Sequence, residues 1–219
     1  IRVYNDNRAA VRDLYAYRSD KPWQAPTSEV YLVLRAGMVL PPEEHTRLIR
    51  EYIAAADAVP RAKRDNARVV LTGSFCEQPP LGLIKSIEMS GCYIVDDDFM
   101  LITRWLQDDV PADDNPLEEL SKAFLHKSAS TAARYDAKRE DKGVFLLKQV
   151  KTRGAEGVVF AAPSFCDPAL LERPMLQDVL SKQKVPYTAF KYAENTGQMA
   201  PIREQAGTFA DSIKLWSAA

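Results

Sequence analysis

The sequence predicts an α/β fold: an open parallel four-stranded sheet in the order 2-1-3-4, flanked by helices, with a helical N-terminal segment. Three observations predict it. Four short runs are apolar throughout, as strands covered on both faces are. Stretches of helical periodicity lie between them. The loops that follow these runs collect cysteine, acidic and amide residues, and open parallel sheets keep their sites beyond the carboxyl ends of the strands.

Taken in order, the first helical segment is Asn5–Arg18. The stretch Ser19–Pro26 (SDKPWQAP) reads as a hinge between packed parts. A second helix starts near Ser28, and a third, Pro42–Ala58, places Leu48, Ile49, Tyr52 and Ile53 on one face. The strands are Arg68–Thr72, Cys92–Val95, Gly157–Ala162 and Pro186–Phe190. Between the first two, Pro79–Ser90 has Pro at its start and Gly91 as its stop. Asn115–Lys127 opens with Asn-Pro, a cap followed by a first-turn Pro. Further helices are expected at Tyr135–Thr152, Pro174–Gln183 and Pro201–Trp216. Residues 1–60 then form the helical segment and residues 61–219 a Rossmann-like α/β domain.

Composition narrows the function. A hydrophobic share of 46% supports an ordinary core. A net charge of −1 argues against a nucleic-acid partner, which needs a basic face. No apolar run approaches the ~20 residues of a membrane span, and the opening has no apolar signal-peptide core. A cytoplasmic location is expected. The three cysteines, Cys76, Cys92 and Cys166, are too scattered for a disulfide scaffold, which suits a reducing compartment. The chain begins at Ile1 rather than Met, so a preceding stretch is expected. Without a GxxxxGK[ST] loop, it is not expected to hydrolyse ATP itself.

The chemistry lies in the loops after the strands. Strand one is followed by Gly73-Ser74-Phe75-Cys76-Glu77-Gln78-Pro79, and strand three by Pro163-Ser164-Phe165-Cys166-Asp167-Pro168. Both carry Ser-Phe-Cys and an acidic residue ahead of proline. With strand order 2-1-3-4 these strands are neighbours at ~4.8 Å, and Cys76 and Cys166 lie side by side. Two thiolates there can hold a soft metal centre, and a nearby helix start favours the thiolate form. The alternative is that each cysteine simply packs, as Cys92 does at the start of an apolar strand. Strand two is followed by Asp96, Asp97 and Asp98, read as a strand end and helix cap in preference to a magnesium site. Arg104, beside Trp105, suits a phosphate or acyl carbonyl, or a surface salt bridge. Asn195, Thr196 and Gln198 offer neutral hydrogen-bonding groups to a substrate, or cap a helix. His45 and His126 read as structural or solvent-exposed.

The segments GSFCEQPP, GCYIVDDDF, GVVFAAPSFCDPALLERPMLQD and FKYAENTGQMAPIREQAGTFADSIKLW together resemble the C-terminal domain of the benzoyl-CoA reductase and 2-hydroxyacyl-CoA dehydratase family. The opening Tyr4-Asn5-Asp6-Asn7-Arg8 resembles the family's segment joining its two halves. The resemblance implies that residues 1–60 link to a further N-terminal domain. It implies a 4Fe–4S cluster held by two cysteines of that domain and by the cysteine of the FCDP loop, here Cys166. Whether Cys76 ligates the cluster, lines the site or shields it stays open. Phe75 and Phe165 would keep water out, and Arg104, Asn195 and Gln198 would contact the thioester or CoA. The implied partners are a homologous cluster-bearing subunit, an ATP-hydrolysing activator, ferredoxin, and benzoyl-CoA or another acyl-CoA. The implied chemistry is reduction of an aromatic ring to a cyclic dienoyl-CoA. The alternatives are (R)-2-hydroxyacyl-CoA dehydration and a non-catalytic assembly role for the same fold. Alone, this chain is expected to bind iron weakly or not at all.

Overall fold

The computed structural model describes residues 1–73, 79–99, 108–126, 142–193 and 199–217. In chain order the elements are α1 (Arg2–Asp20), α2 (Thr27–Ala36), α3 (Pro42–Ala58), β1 (Ala67–Thr72), α4 (Leu81–Met89), β2 (Cys92–Asp97), α5 (Pro116–His126), α6 (Lys142–Thr152), β3 (Gly157–Pro163), α7 (Asp167–Lys182), β4 (Tyr187–Tyr192) and α8 (Met199–Ser217). The strands form one parallel sheet in the order β2-β1-β3-β4. This is the predicted topology.

The period-two alternation of the strands divides their side chains between two helical layers. Val69, Leu71, Val159, Ala161, Phe190 and Tyr192 pack with Leu83, Ile84 and Ile87 of α4 and with Ile202, Phe209 and Ile213 of α8. Val70, Val158 and Phe160 face the other way, onto Leu146 and Val150 of α6 and Leu180 of α7. Both faces are covered, so the strands read as continuous apolar runs. Helix α8 sits very close to the sheet at Gly157. A Cβ there would come within 2.7 Å of the Phe209 ring and 2.8 Å of Ile213.

The N-terminal helices build their own small core from Ala10, Leu14 and Tyr15 of α1, Val30 and Leu34 of α2, and Ile49 of α3. Helix α1 also lies against β2, and a charged contact joins them. Arg18 is fully buried, and its Nη1 is 2.8 Å from Oδ2 of the equally buried Asp97. Tyr15 donates its hydroxyl to the other oxygen of Asp97 at 2.8 Å, and the Phe99 N–H donates there at 3.1 Å. Arg153 Nε lies 3.1 Å from Asp96. Burial works against the Arg18 charge, but Asp97, Tyr15 and Asp96 outweigh it and hold its pKa above the ordinary value.

The structure corrects four expectations. Strand β2 runs on through Asp96 and Asp97, which pair with Val70 and Leu71. The two carboxylates enter the sheet because cations meet them there. Ser19–Pro26 is no hinge. Helix α1 continues to Asp20, Gln24 and Ala25 are buried, and the Gln24 amide donates to the carbonyls of Ala56 and Val59. Helix α7 starts at Asp167, ahead of the expected Pro174. Pro168 occupies the first turn, where its missing N–H costs nothing, and the helix passes through Pro174. Helix α8 starts at Met199 rather than Pro201. The expected start of α6 at Tyr135 lies outside the described residues.

His45 ties α3 to α1 and α2. Its Nδ1 accepts from the Asn7 amide at 3.0 Å, and its Nε2 donates to the Val33 carbonyl at 3.1 Å. Burial, partly opposed by the Val33 bond, holds its pKa below the ordinary value.

Two outcomes follow from these contacts. Arg18→Leu leaves the Asp97 charge buried without its cation, and lowers unfolding free energy by about 3–5 kcal/mol in urea titration. Arg18→Leu with Asp97→Leu recovers most of that loss. For His45, the unfolded chain takes up a proton as pH falls through about 6.5, while the folded chain refuses it. Stability is therefore complete above that pH and declines below it. Tm measured from pH 7.5 to 5.5 falls less steeply in His45→Gln than in the wild type.

Candidate functional site

The carboxyl ends of β1, β3 and β4 form one rim. At the end of β3 the chain turns sharply: the Cys166 N–H donates to the Pro163 carbonyl at 3.0 Å. Cys166 then occupies the N-cap position of α7, and its carbonyl accepts from Leu170 N–H at 3.1 Å. Its side chain is 5% exposed, in a small apolar cluster with Ala162 and Ala169. The amide dipoles of a sixteen-residue helix therefore converge near this sulfur. Phe165, one residue earlier, is 94% exposed.

At the end of β1, Gly73 has φ +107°, and a Cβ there would meet the Ala161 carbonyl oxygen at 2.9 Å. Glycine lets β1 leave the sheet flush against β3. Asp98 fixes the same point from the β2 side. It accepts from Thr72 Oγ1 at 2.7 Å and from the Gly73 N–H at 3.2 Å. The acidic triplet is thus divided: Asp96 and Asp97 meet Arg153, just past α6, and Arg18 of α1, and Asp98 holds the β1 exit. Among the described residues no group of three or more His, Cys, Asp or Glu could hold a metal ion.

Cys92 packs as its apolar strand predicts. Burial pushes its thiol up to about 12, and it donates to the Ala206 carbonyl across 3.9 Å. Cys76, Phe75, Arg104, Asn195 and Gln198 lie outside the described residues. Of the proposed site residues the structure therefore describes Cys166 and Phe165. Sequence reasoning missed Arg18, Arg153 and Asp98 as the groups that fix the rim's supports. The adjacent acids were the visible signal, but their partners are remote in sequence. A cleft of about 270 Å³ lies between α1 and α3, lined by Val3, Asp6, Glu43, Thr46, Arg47, Arg50 and Glu51, and shares no residue with the rim. No helix among the described residues is long and apolar enough to cross a membrane.

Comparison with known proteins gives this rim a context. A benzoyl-CoA reductase subunit of Thauera aromatica is 65% identical over 217 residues, 99% of this chain and 56% of that protein. The beta subunit of (R)-2-hydroxyglutaryl-CoA dehydratase from Acidaminococcus fermentans is 29% identical over 216 residues, and that of lactoyl-CoA dehydratase from Anaerotignum propionicum 27% over 214. Each of these two matches takes in 97% of this chain and 56% of the relative. The chain thus spans little more than half the length of these relatives. The model of the family described as 2-hydroxyglutaryl-CoA dehydratase, D-component, matches residues 1–213. The resemblance carried by the rim loops extends over nearly the whole sequence, and the chain belongs to the 2-hydroxyglutaryl-CoA dehydratase D-component family.

Proposed function

We propose that this chain is part of a subunit of an ATP-dependent, ferredoxin-linked benzoyl-CoA reductase, and that Cys166 is one thiolate ligand of its 4Fe–4S cluster. The observation that carries the reading is the 65% identity to a benzoyl-CoA reductase subunit over 99% of the chain. The family description and the dehydratase relatives support a second reading, (R)-2-hydroxyacyl-CoA dehydration by the same kind of site.

Cys166 fits the role in chemistry and position. A soft thiolate suits iron–sulfur ligation. Its place at the first position before α7 sets the sulfur at the rim, and its apolar neighbours Ala162 and Ala169 keep solvent away. A bound cluster would supply low-potential electrons, one at a time, to an adjacent CoA thioester.

The protein's own residues do the rest. The Pro163–Cys166 turn sets the sulfur at the rim. Phe75 and Phe165 exclude water around the reacting group. Arg104, Asn195 and Gln198 orient the thioester or CoA, and Cys76 is a second ligand or lines the site. The remaining thiolates come from an N-terminal domain joined through residues 1–60, with residues 61–219 as the C-terminal α/β unit. A homologous cluster-bearing subunit, an ATP-hydrolysing activator and ferredoxin complete a cytoplasmic enzyme.

In the complete enzyme under strict anoxia, Cys166→Ala lowers the iron and sulfide content by one cluster. It also reduces benzoyl-CoA turnover by on the order of 100-fold or more, since even residues behind the ligands cost 10–100-fold. Assaying a 2-hydroxyacyl-CoA beside benzoyl-CoA decides between the two outcomes. Unchanged iron and unchanged turnover would instead support an assembly role.

A further inference from the structure

The turn that carries Cys166 is secured by a contact that ligation itself does not require. Ser164 directs two donors at one acceptor. Its N–H lies 2.9 Å and its Oγ 3.0 Å from the carbonyl oxygen of Tyr192, the last residue of β4. The sheet register already pairs Pro163 with Tyr192, so Ser164 carries the β3–β4 attachment one residue past the ladder. Beyond it, the side chain of Phe165 is almost wholly exposed and adds little packing. Cys166 is then held on its far side by the first turn of α7. On its near side, Ser164 fastens the chain to the neighbouring strand.

We propose that Ser164 is a positioning residue for Cys166: its hydroxyl doubles the backbone bond to Tyr192 and so holds the buried thiol in place at the rim. The role matters for ligation only if Cys166 is a ligand as proposed above, but the positional claim is testable without any cluster. Alanine keeps the N–H bond and removes the hydroxyl bond. One neutral hydrogen bond shifts a local opening equilibrium by about fivefold.

The test is alkylation of the reduced chain with iodoacetamide, followed cysteine by cysteine by peptide mass spectrometry. Cys92, which lies on the far side of the sheet's core packing at the start of β2, serves as the internal control. Ser164→Ala is expected to raise the Cys166 rate about fivefold while leaving the Cys92 rate and Tm unchanged. Ser164→Thr, which keeps a hydroxyl, is expected to return the Cys166 rate to the wild-type value. An unmoved Cys166 rate in Ser164→Ala would overturn the proposal. So would Cys166 and Cys92 rates rising together, which marks general loosening. Should Ser164→Ala fail to fold, Ser164→Val is compared with Ser164→Thr, which has the same shape and keeps the hydroxyl: a faster Cys166 rate in the valine variant supports the clamp, and equal rates overturn it. Iron content of the complete enzyme tests the other claim separately. A specific rise in Cys166 reactivity, with normal iron in Cys166→Ala, would remove the ligand role and leave the positioning role standing.

Discussion

Burial of both faces of β1 and β3 is the constraint on which the rest of the structure depends. Central parallel strands need cover on each side, and the connections between them must cross over to supply it. Helices α4 and α8 close one face, and α6 and α7 close the other. With the interior so filled, polar chemistry has its place where the strands end. The order β2-β1-β3-β4 makes the exits of β1 and β3 adjacent, so two loops far apart in sequence leave the sheet beside each other. The close fit of Gly73 against Ala161 is the local expression of this.

Charge is used as architecture in this fold. Asp97 and Arg18 are both fully buried, an arrangement that costs desolvation on both sides and is offset by the attraction of the two opposite charges. Replacing the pair by apolar groups would remove that cost, but it would also remove the directional contact that sets α1 against β2. Asp98, one residue on, uses its carboxylate on the backbone of β1. Three consecutive acids therefore connect the N-terminal helices, the central sheet and the rim, within the last residues of one strand and the first beyond it.

Much of this was legible in the sequence because it is local. The apolar runs mark the strands, Asn115-Pro116 marks the start of α5, and the limits of α3 agree with the expected Pro42–Ala58. What the sequence hid is long-range. Asp96 and Asp97 read as a loop because acids rarely lie in a buried strand, and their cationic partners, Arg18 of α1 and Arg153 just past the end of α6, are far apart in the chain. The stretch around Trp23 reads as a hinge by composition, yet Gln24 binds it to the end of α3. Pro174 looks like a helix start, but Pro168 already provides one in the same helix. At the rim, the cysteine was visible as a residue type in a loop. Its burial, its helix-capping position and the Ser164 contact required the fold.

The proposed chemistry depends on a bond between Cys166 and iron in the assembled enzyme. The most direct measurement is a structure of the full-length protein in its complex, prepared anoxically and read by the anomalous scattering of iron. The expected result is iron density bonded to the Cys166 sulfur at the rim of the sheet. A cluster bonded elsewhere, with no iron at the Cys166 sulfur, would contradict it.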